Sequence, residues 1–138
     1  MKRAWETMRE LNVVTLPITS KEDDLQGLIT VSDIAKSYMD AYDSSVMSQA
    51  RTQYRSIAET LDGQVIVGNE HGYFIKGRVV IGAFHPDTME NYIHEDDLVI
   101  LGNRAEDQLC AIEMKASCIV VGLGAKVSRT IQKLAEDM

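Results

Sequence analysis

Basic residues are scarce in this chain and never clustered. Fourteen lysines and arginines face twenty-one aspartates and glutamates in 138 residues, leaving a formal charge of −7. Gripping a phosphate backbone takes grouped Lys and Arg, so the balance argues against a nucleic-acid partner. Long apolar runs are missing as well. No stretch reaches the roughly 18 residues of a membrane span, and the start Met1-Lys2-Arg3-Ala4-Trp5-Glu6 lacks the apolar core of a signal peptide. There are only two cysteines, Cys110 and Cys118. They fall on a predicted helix and a predicted strand, and two reduced, packed thiols in a cytoplasmic protein are the simpler reading than a disulfide. No serine stands in a GxSxG elbow and neither cysteine in an active-site motif, so nucleophilic catalysis finds no support. What is present is globular: 45% hydrophobic and 25% charged residues, with no low-complexity tract. The length suits one ordinary domain or two half-sized ones, burying about two-thirds of the unfolded surface.

The apolar spacing predicts a helix over 2–11, with Ala4, Trp5, Met8 and Leu11 on one face. Asn12 to Ile18 reads as a buried strand and Leu25 to Thr30 as its hairpin partner across the charged turn Ser20 to Asp24. A second helix runs from Val31 to about Tyr42, with Ile34, Ala35, Tyr38 and Met39 as its stripe. Asp43-Ser44-Ser45 looks like a junction and helix cap. A helix is expected over 46–60, with Val46, Met47, Ala50, Tyr54, Ile57 and Ala58 inward, ended by Asp62-Gly63. Strands are then expected at 64–67, 77–83, 98–101 and 118–121, and helices at 86–93, 105–114 and 126–137. Pro86 suits a first helical turn. Strands interleaved with helices imply an α/β fold with a mainly parallel sheet. Both ends read as cut from a longer protein, since helices begin and stop there without caps.

Four segments could carry chemistry. In Gly27-Leu28-Ile29-Thr30-Val31-Ser32-Asp33-Ile34 a strand enters a helix through a hydroxyl and, three residues on, a carboxylate. One reading is an ordinary cap, Thr30 at the N-cap and Asp33 at the third helical position. The other is a ligand site, because helix-start amides attract phosphate and an Asp can accept from the two hydroxyls of a ribose. Val121-Gly122-Leu123-Gly124 fits neither GxGxxG nor GxxxxGK[ST] and reads first as a glycine-permitted turn, although Lys126 and Arg129 beyond it could attract an anion. His85, Asp87, His94 and the acidic run Glu95-Asp96-Asp97 are metal-type side chains, but no two histidines share a helical face and a polar turn is the simpler reading. His71 beside Gly72 is expected in a solvated turn.

Ala4 to Met8, then Asn12 to Ile18, then Gly27 to Ile34, taken in order, resemble a CBS motif, whose recurrent ending is Gly, two apolar residues, Ser or Thr, two variable residues and Asp. The resemblance covers about residues 2–40, without the motif's leading segment and first strand, and one motif is seen where such motifs work in pairs. It implies adenine-nucleotide binding (AMP, ADP or ATP), with Thr30 and Asp33 touching the ribose and phosphate, the backbone of Thr15, Leu16 and Pro17 lining the adenine slot, and Gly27 also among the nucleotide-binding residues. The segments Gly63 to Gly68, Gly77 to Ala83, Asp97 to Ile100, Gly102-Asn103-Arg104 and Val120 to Ser128 resemble the DRTGG domain. Arg104 and Gly124 match its name-giving letters, while Asn103 and Gly122-Leu123 replace the rest. The division expected is a partial CBS motif over 1–42 and a DRTGG domain over 43–138.

That order resembles the regulatory insert of family II inorganic pyrophosphatases, where DRTGG lies between two CBS motifs inside a manganese-dependent catalytic module. The resemblance implies a non-catalytic regulatory piece with no catalytic or metal-binding residues of its own. It implies a hydrolase parent in the cytoplasm, a homodimer, and a second CBS motif and catalytic module as partners. The competing reading is a dimerisation or spacer domain that binds no nucleotide; the seven methionines and the apolar face of 46–57 suit a partner surface as well as a core.

Overall fold

The computed structural model describes the chain from Met1 to Met138, apart from the side chains at positions 41 and 86. It divides into two compact units, Met1–Tyr42 and Asp43–Met138.

The first unit is helix, hairpin, helix: α1 (Lys2–Leu11), β1 (Thr15–Thr19), β2 (Leu25–Thr30) and α2 (Val31–Ala41). Asn12 ends α1 in the left-handed conformation (φ 52°), where its amide reaches back to the last carbonyls, a task to which Asn is better suited than most residues. The strands pair antiparallel from Thr15 opposite Thr30 to Thr19 opposite Leu25, with an irregularity between Ile18 and Thr19. The tight turn is held by the Ser20 hydroxyl, which accepts from the amides of Glu22 and Asp24 at 3.1 and 3.2 Å. Among the described residues of this unit only Met8, Ile34 and Ala35 are buried. The expectation of a buried first strand therefore fails: Val13, Val14, Ile18, Leu25 and Leu28 are exposed, as are Trp5, Leu11 and Tyr38 from the predicted helix faces. Two short helices and a two-stranded ribbon have too little surface to cover both faces of the hairpin.

The second unit is built on a parallel sheet of β5 (Val79–Ile81), β6 (Leu98–Leu101) and β7 (Cys118–Val121), in that spatial order. Helices α5 (Pro86–Met89) and α6 (Ala105–Glu113) are the crossovers, and α7 (Arg129–Glu136) follows β7. Leu98-Val99-Ile100-Leu101 is apolar throughout because β6 is central and covered on both faces. Leu98 belongs to a core with Ile57 and Phe74, onto which Met47, Tyr54, Val79, Ile100, Cys118 and Val120 pack. Strand alternation leaves Val99 and Leu101, also buried, for the opposite face.

Residues 46–60 do not form one helix. α3 (Val46–Gln49) stops at Arg51, whose φ is 53°, then β3 (Thr52–Gln53) pairs antiparallel with β4 (Tyr73–Phe74), and α4 (Tyr54–Thr60) starts again. The pairing with β4 outweighs the helical pattern, and it leaves Val46 and Ala50 outward while Ser48 is buried. Ser48 donates its hydroxyl to the carbonyls of Ser45 and Gly77 at 2.9 and 2.7 Å. Residues 64–67 form no strand; Val65 and Ile66 are exposed and find no ladder partner. The strand expected over 77–83 shortens to β5, the helix over 86–93 to α5, and the helix over 126–137 begins only after its cap Ser128. At the junction Ser45 is the N-cap of α3 without a side-chain cap bond, and the Asp43 carboxylate instead holds the turn before it, accepting from the Ser45 amide at 3.0 Å.

The sheet register is tied at one residue. Asp97, 1% exposed, accepts from the Arg78 amide (2.8 Å), the Arg78 guanidinium Nη2 (2.8 Å) and the His94 amide (2.9 Å). Its own carbonyl accepts from the Ser117 amide at 2.9 Å. One residue thus joins three places: its carboxylate ties the entry to β5 to the turn before β6, and its carbonyl holds the entry to β7. Removing the carboxylate leaves two part-buried amides and a half-exposed cation without their acceptor, so Asp97→Ala is expected to lose about 2 kcal/mol of stability in urea unfolding, with a smaller loss for Asp97→Asn. An unchanged midpoint in both variants would show that the tie is dispensable.

Candidate ligand site

The predicted nucleotide residues all lie on the hairpin and the first turn of α2. Thr30 caps the helix, and the cap is reciprocal. The Asp33 amide reaches Thr30 Oγ1 at 3.3 Å, while Asp33 Oδ2 accepts from the Thr30 amide at 2.8 Å and from the Thr30 hydroxyl at 2.7 Å. This is the capping box that a hydroxyl residue and a carboxylate three apart can form. Thr15 stands directly across from Thr30, Leu16 across from Ile29, and Pro17 across from Leu28. Thr15, Thr30 and Asp33 are therefore brought together at one end of the hairpin. Gly27 pairs with Ile18, three residues up the strand from Thr30, which at about 3.3 Å per residue is roughly 10 Å away, so it sits nearer the turn.

The carboxyl of Asp33 is held below its ordinary value of 3.8, first by the Thr30 hydroxyl and then by the Thr30 amide. It stays ionised, exposed and acceptor-only, which is the state in which a carboxylate takes donors from a sugar. The helix-start amides are largely engaged: that of Val31 reaches the Val14 carbonyl at 3.3 Å, and that of Asp33 is inside the cap. The chemistry left for a ligand is hydroxyl and carboxylate rather than a bare amide cradle.

The second candidate segment lies where β6 and β7 end. Leu101 and Val121 are opposed, and the Gly122 amide donates to the Leu101 carbonyl at 2.8 Å, so the loops 102–104 and 122–128 leave the sheet side by side. Leu123 and Gly124 take left-handed φ of 61° and 63° and Leu123 is fully exposed. The turn expected there forms, with Leu123 and Gly124, not Gly122, in the left-handed region.

The histidines are separated. His85 Nδ1 lies 3.2 Å from Asp87, and His94 Nδ1 lies 2.7 Å from Arg78. Among the described residues no group of three or more His, Cys, Asp or Glu side chains is placed to hold a metal ion. Both thiols are free, and burial pushes that of Cys118 up to about 11, leaving it unreactive at neutral pH. Sequence reasoning gave Arg78 and Gln108 no role, and it met Asp97 in a polar turn and Asp107 in the segment after β6 without marking either as buried; Asp97, Asp107 and Gln108 are buried polar side chains, and nothing in a one-dimensional pattern separates a buried aspartate from a solvated one.

Residues 56–138 match the DRTGG domain model. The chain belongs to the DRTGG domain family. It is 33% identical over 136 residues to the cobalt-dependent inorganic pyrophosphatase of Clostridium perfringens, covering 99% of this chain and 25% of that enzyme. It is 32% identical over 85 residues to the uncharacterised Bacillus subtilis protein YtoI, covering 62% of this chain and 19% of the other. It thus spans a quarter or less of the length of these curated relatives. A crystal structure of the CBS and DRTGG domains of the regulatory region of the Clostridium perfringens pyrophosphatase, complexed with its activator diadenosine tetraphosphate, superposes with a TM-score of 0.65. The identity is 33%, over 99% of this chain and 59% of that one. The α/β fold with a parallel sheet expected from the alternation of elements is the fold found. No helix among the described residues is long and apolar enough to cross a membrane.

Because the folded pKa of Asp33 lies below its unfolded one, the cap stabilises α2 above the unfolded value and loses that contribution as pH falls through the depressed one. Thr30→Val removes the hydroxyl donor and keeps the amide. Its Asp33 carboxyl, followed by NMR titration, is expected to titrate at a higher pH than in the parent chain; an unmoved midpoint would mean the hydroxyl does not hold it down.

Proposed function

We propose that this chain is a non-catalytic regulatory region of an inorganic pyrophosphatase, responding to adenine nucleotides through its CBS part. The observation that carries the reading is the one-third identity, over nearly the whole chain, to a pyrophosphatase regulatory region whose crystal structure holds a nucleotide activator. The ligand is an adenine nucleotide such as AMP, ADP or ATP, or a dinucleoside polyphosphate like the activator of that relative. Thr30 and Asp33 meet its ribose and phosphate, Gly27 allows close approach, and the backbone of Thr15, Leu16 and Pro17 lines the adenine. Catalysis belongs to a separate module of a cytoplasmic, homodimeric parent. Its metal is manganese by the family resemblance, whereas the named relative is cobalt-dependent.

The exposed apolar side chains of the first unit favour a second CBS motif as its covering partner. In the spacer reading, region 43–138 serves instead as a dimerisation and spacer domain and the chain binds no nucleotide. Nucleotide shifts the parent's activity only as far as it binds two packings of the CBS part unequally.

Calorimetry on the parent protein with AMP, ADP, ATP and diadenosine tetraphosphate separates these readings. At least one nucleotide is expected to bind saturably and to change pyrophosphate hydrolysis, assayed with manganese and with cobalt. Asp33→Ala is expected to weaken binding by about tenfold or more. Equal affinity in the variant would remove Asp33 from the site, and a dimer indifferent to every nucleotide would favour the spacer.

A further inference from the structure

The loops at the carboxyl ends of β6 and β7 hold one group whose chemistry is incomplete. Asp107, the third residue of α6, is 5% exposed, and among the described residues its Oδ1 has no hydrogen-bond partner. Its Oδ2 lies 3.9 Å from Arg104 Nε, too far for a hydrogen bond. A buried acceptor left unpaired costs about 1–3 kcal/mol. The surroundings are fixed rather than loose: Gln108, 2% exposed, donates its side-chain amide to the Gly102 carbonyl at 3.1 Å and pins the loop to the helix. Arg104 is half-exposed, and its two contacts are long, 3.4 Å to Glu106 and 3.9 Å to Asp107. No side chain caps the amides at the start of α6. A side chain added at Gly102 or Gly124 would meet nothing within 4 Å. This is also the end of an open parallel sheet where α/β folds receive ligands.

We propose that this edge is a second ligand site, in the DRTGG unit and distinct from the hairpin, for a small phosphorylated metabolite that carries a hydroxyl. The anionic group takes the Arg104 guanidinium and the uncapped amides of α6. Drawing Arg104 toward the anion uncovers Asp107, and the ligand hydroxyl donates to the unpaired Oδ1. Anion and carboxylate are kept apart by the length of the ligand, which is why phosphate alone satisfies only half the site. Among the described residues no three metal-type side chains gather there, so the chemistry offered is that of an anion and a hydroxyl.

The test is amide NMR on this chain, titrated separately with ribose 5-phosphate, inorganic phosphate and ribose. Ribose 5-phosphate is expected to shift the amides of residues 102–106 and 122–126 saturably, with affinity about tenfold above phosphate, and ribose to leave them unmoved. Asp107→Asn is expected to reduce ribose 5-phosphate to the level of phosphate, and Arg104→Gln to weaken both. If Asp107→Asn does not fold, Arg104→Gln, altering an exposed side chain, decides alone. Absence of saturable shifts at these amides overturns the proposal. So do equal responses to phosphate and ribose 5-phosphate, which mean an adventitious ion only, and so do shifts confined to residues 12–33, which belong to the hairpin.

Discussion

The second unit depends on a carboxylate that no solvent reaches. Asp97 takes the Arg78 amide and guanidinium and the His94 amide on its side chain, and the Ser117 amide on its carbonyl. Between them these bonds fix the starts of all three strands of the parallel sheet. With the starts aligned, Val79, Leu98 and Cys118 fall level, and so do Ile81, Ile100 and Val120. The alignment carries through to the far ends, where Leu101 and Val121 oppose one another and deliver the loops 102–104 and 122–128 side by side. Gly77 belongs to the same knot: its φ is 92°, and a side chain there would collide with the Asp96 carbonyl, so no other residue fits without moving backbone.

The two units solve opposite problems. The second has a central strand covered on both faces and fills its interior with Ile57, Phe74, Leu98, Val99 and Met89. The first has a ribbon and two helices and, among its described residues, buries three apolar side chains. A unit with so thin a core keeps its hairpin geometry by local bonds, the Asn12 helix end, the Ser20 turn and the Thr30–Asp33 cap, and leaves much apolar surface exposed. Local bonding of this kind also places Thr15, Thr30 and Asp33 at one end of the hairpin.

Much of this was legible because it is local. Met8, Ile34 and Ala35 were on the predicted faces, and the cap at Thr30 needed only a hydroxyl and a carboxylate at the right interval. The central strand announced itself as four apolar residues in a row. The stretch 46–60 was misleading for a physical reason: Thr52 and Gln53 answer to Tyr73 and Phe74, some twenty residues on, and a pattern read within one window cannot see that pairing. The same applies to Val65 and Ile66, strand formers that found no strand to join.

The sequence by itself determined what short-range chemistry controls: the helix–hairpin–helix start, the capping box, the alternation of strand and helix that makes the sheet parallel, and the resemblance to CBS and DRTGG regions. Only the tertiary structure decided which polar groups lose their water. Asp96 and Asp97 are neighbours in one acidic turn, yet one accepts from an exposed Lys76 at 2.6 Å and the other closes the core. Glu106 and Asp107 begin one helix, yet one stays in solvent and the other is buried with an oxygen unpaired. Burial is set by what the rest of the chain lays over a residue, and that is a property of the fold, not of the residue or its neighbours in sequence.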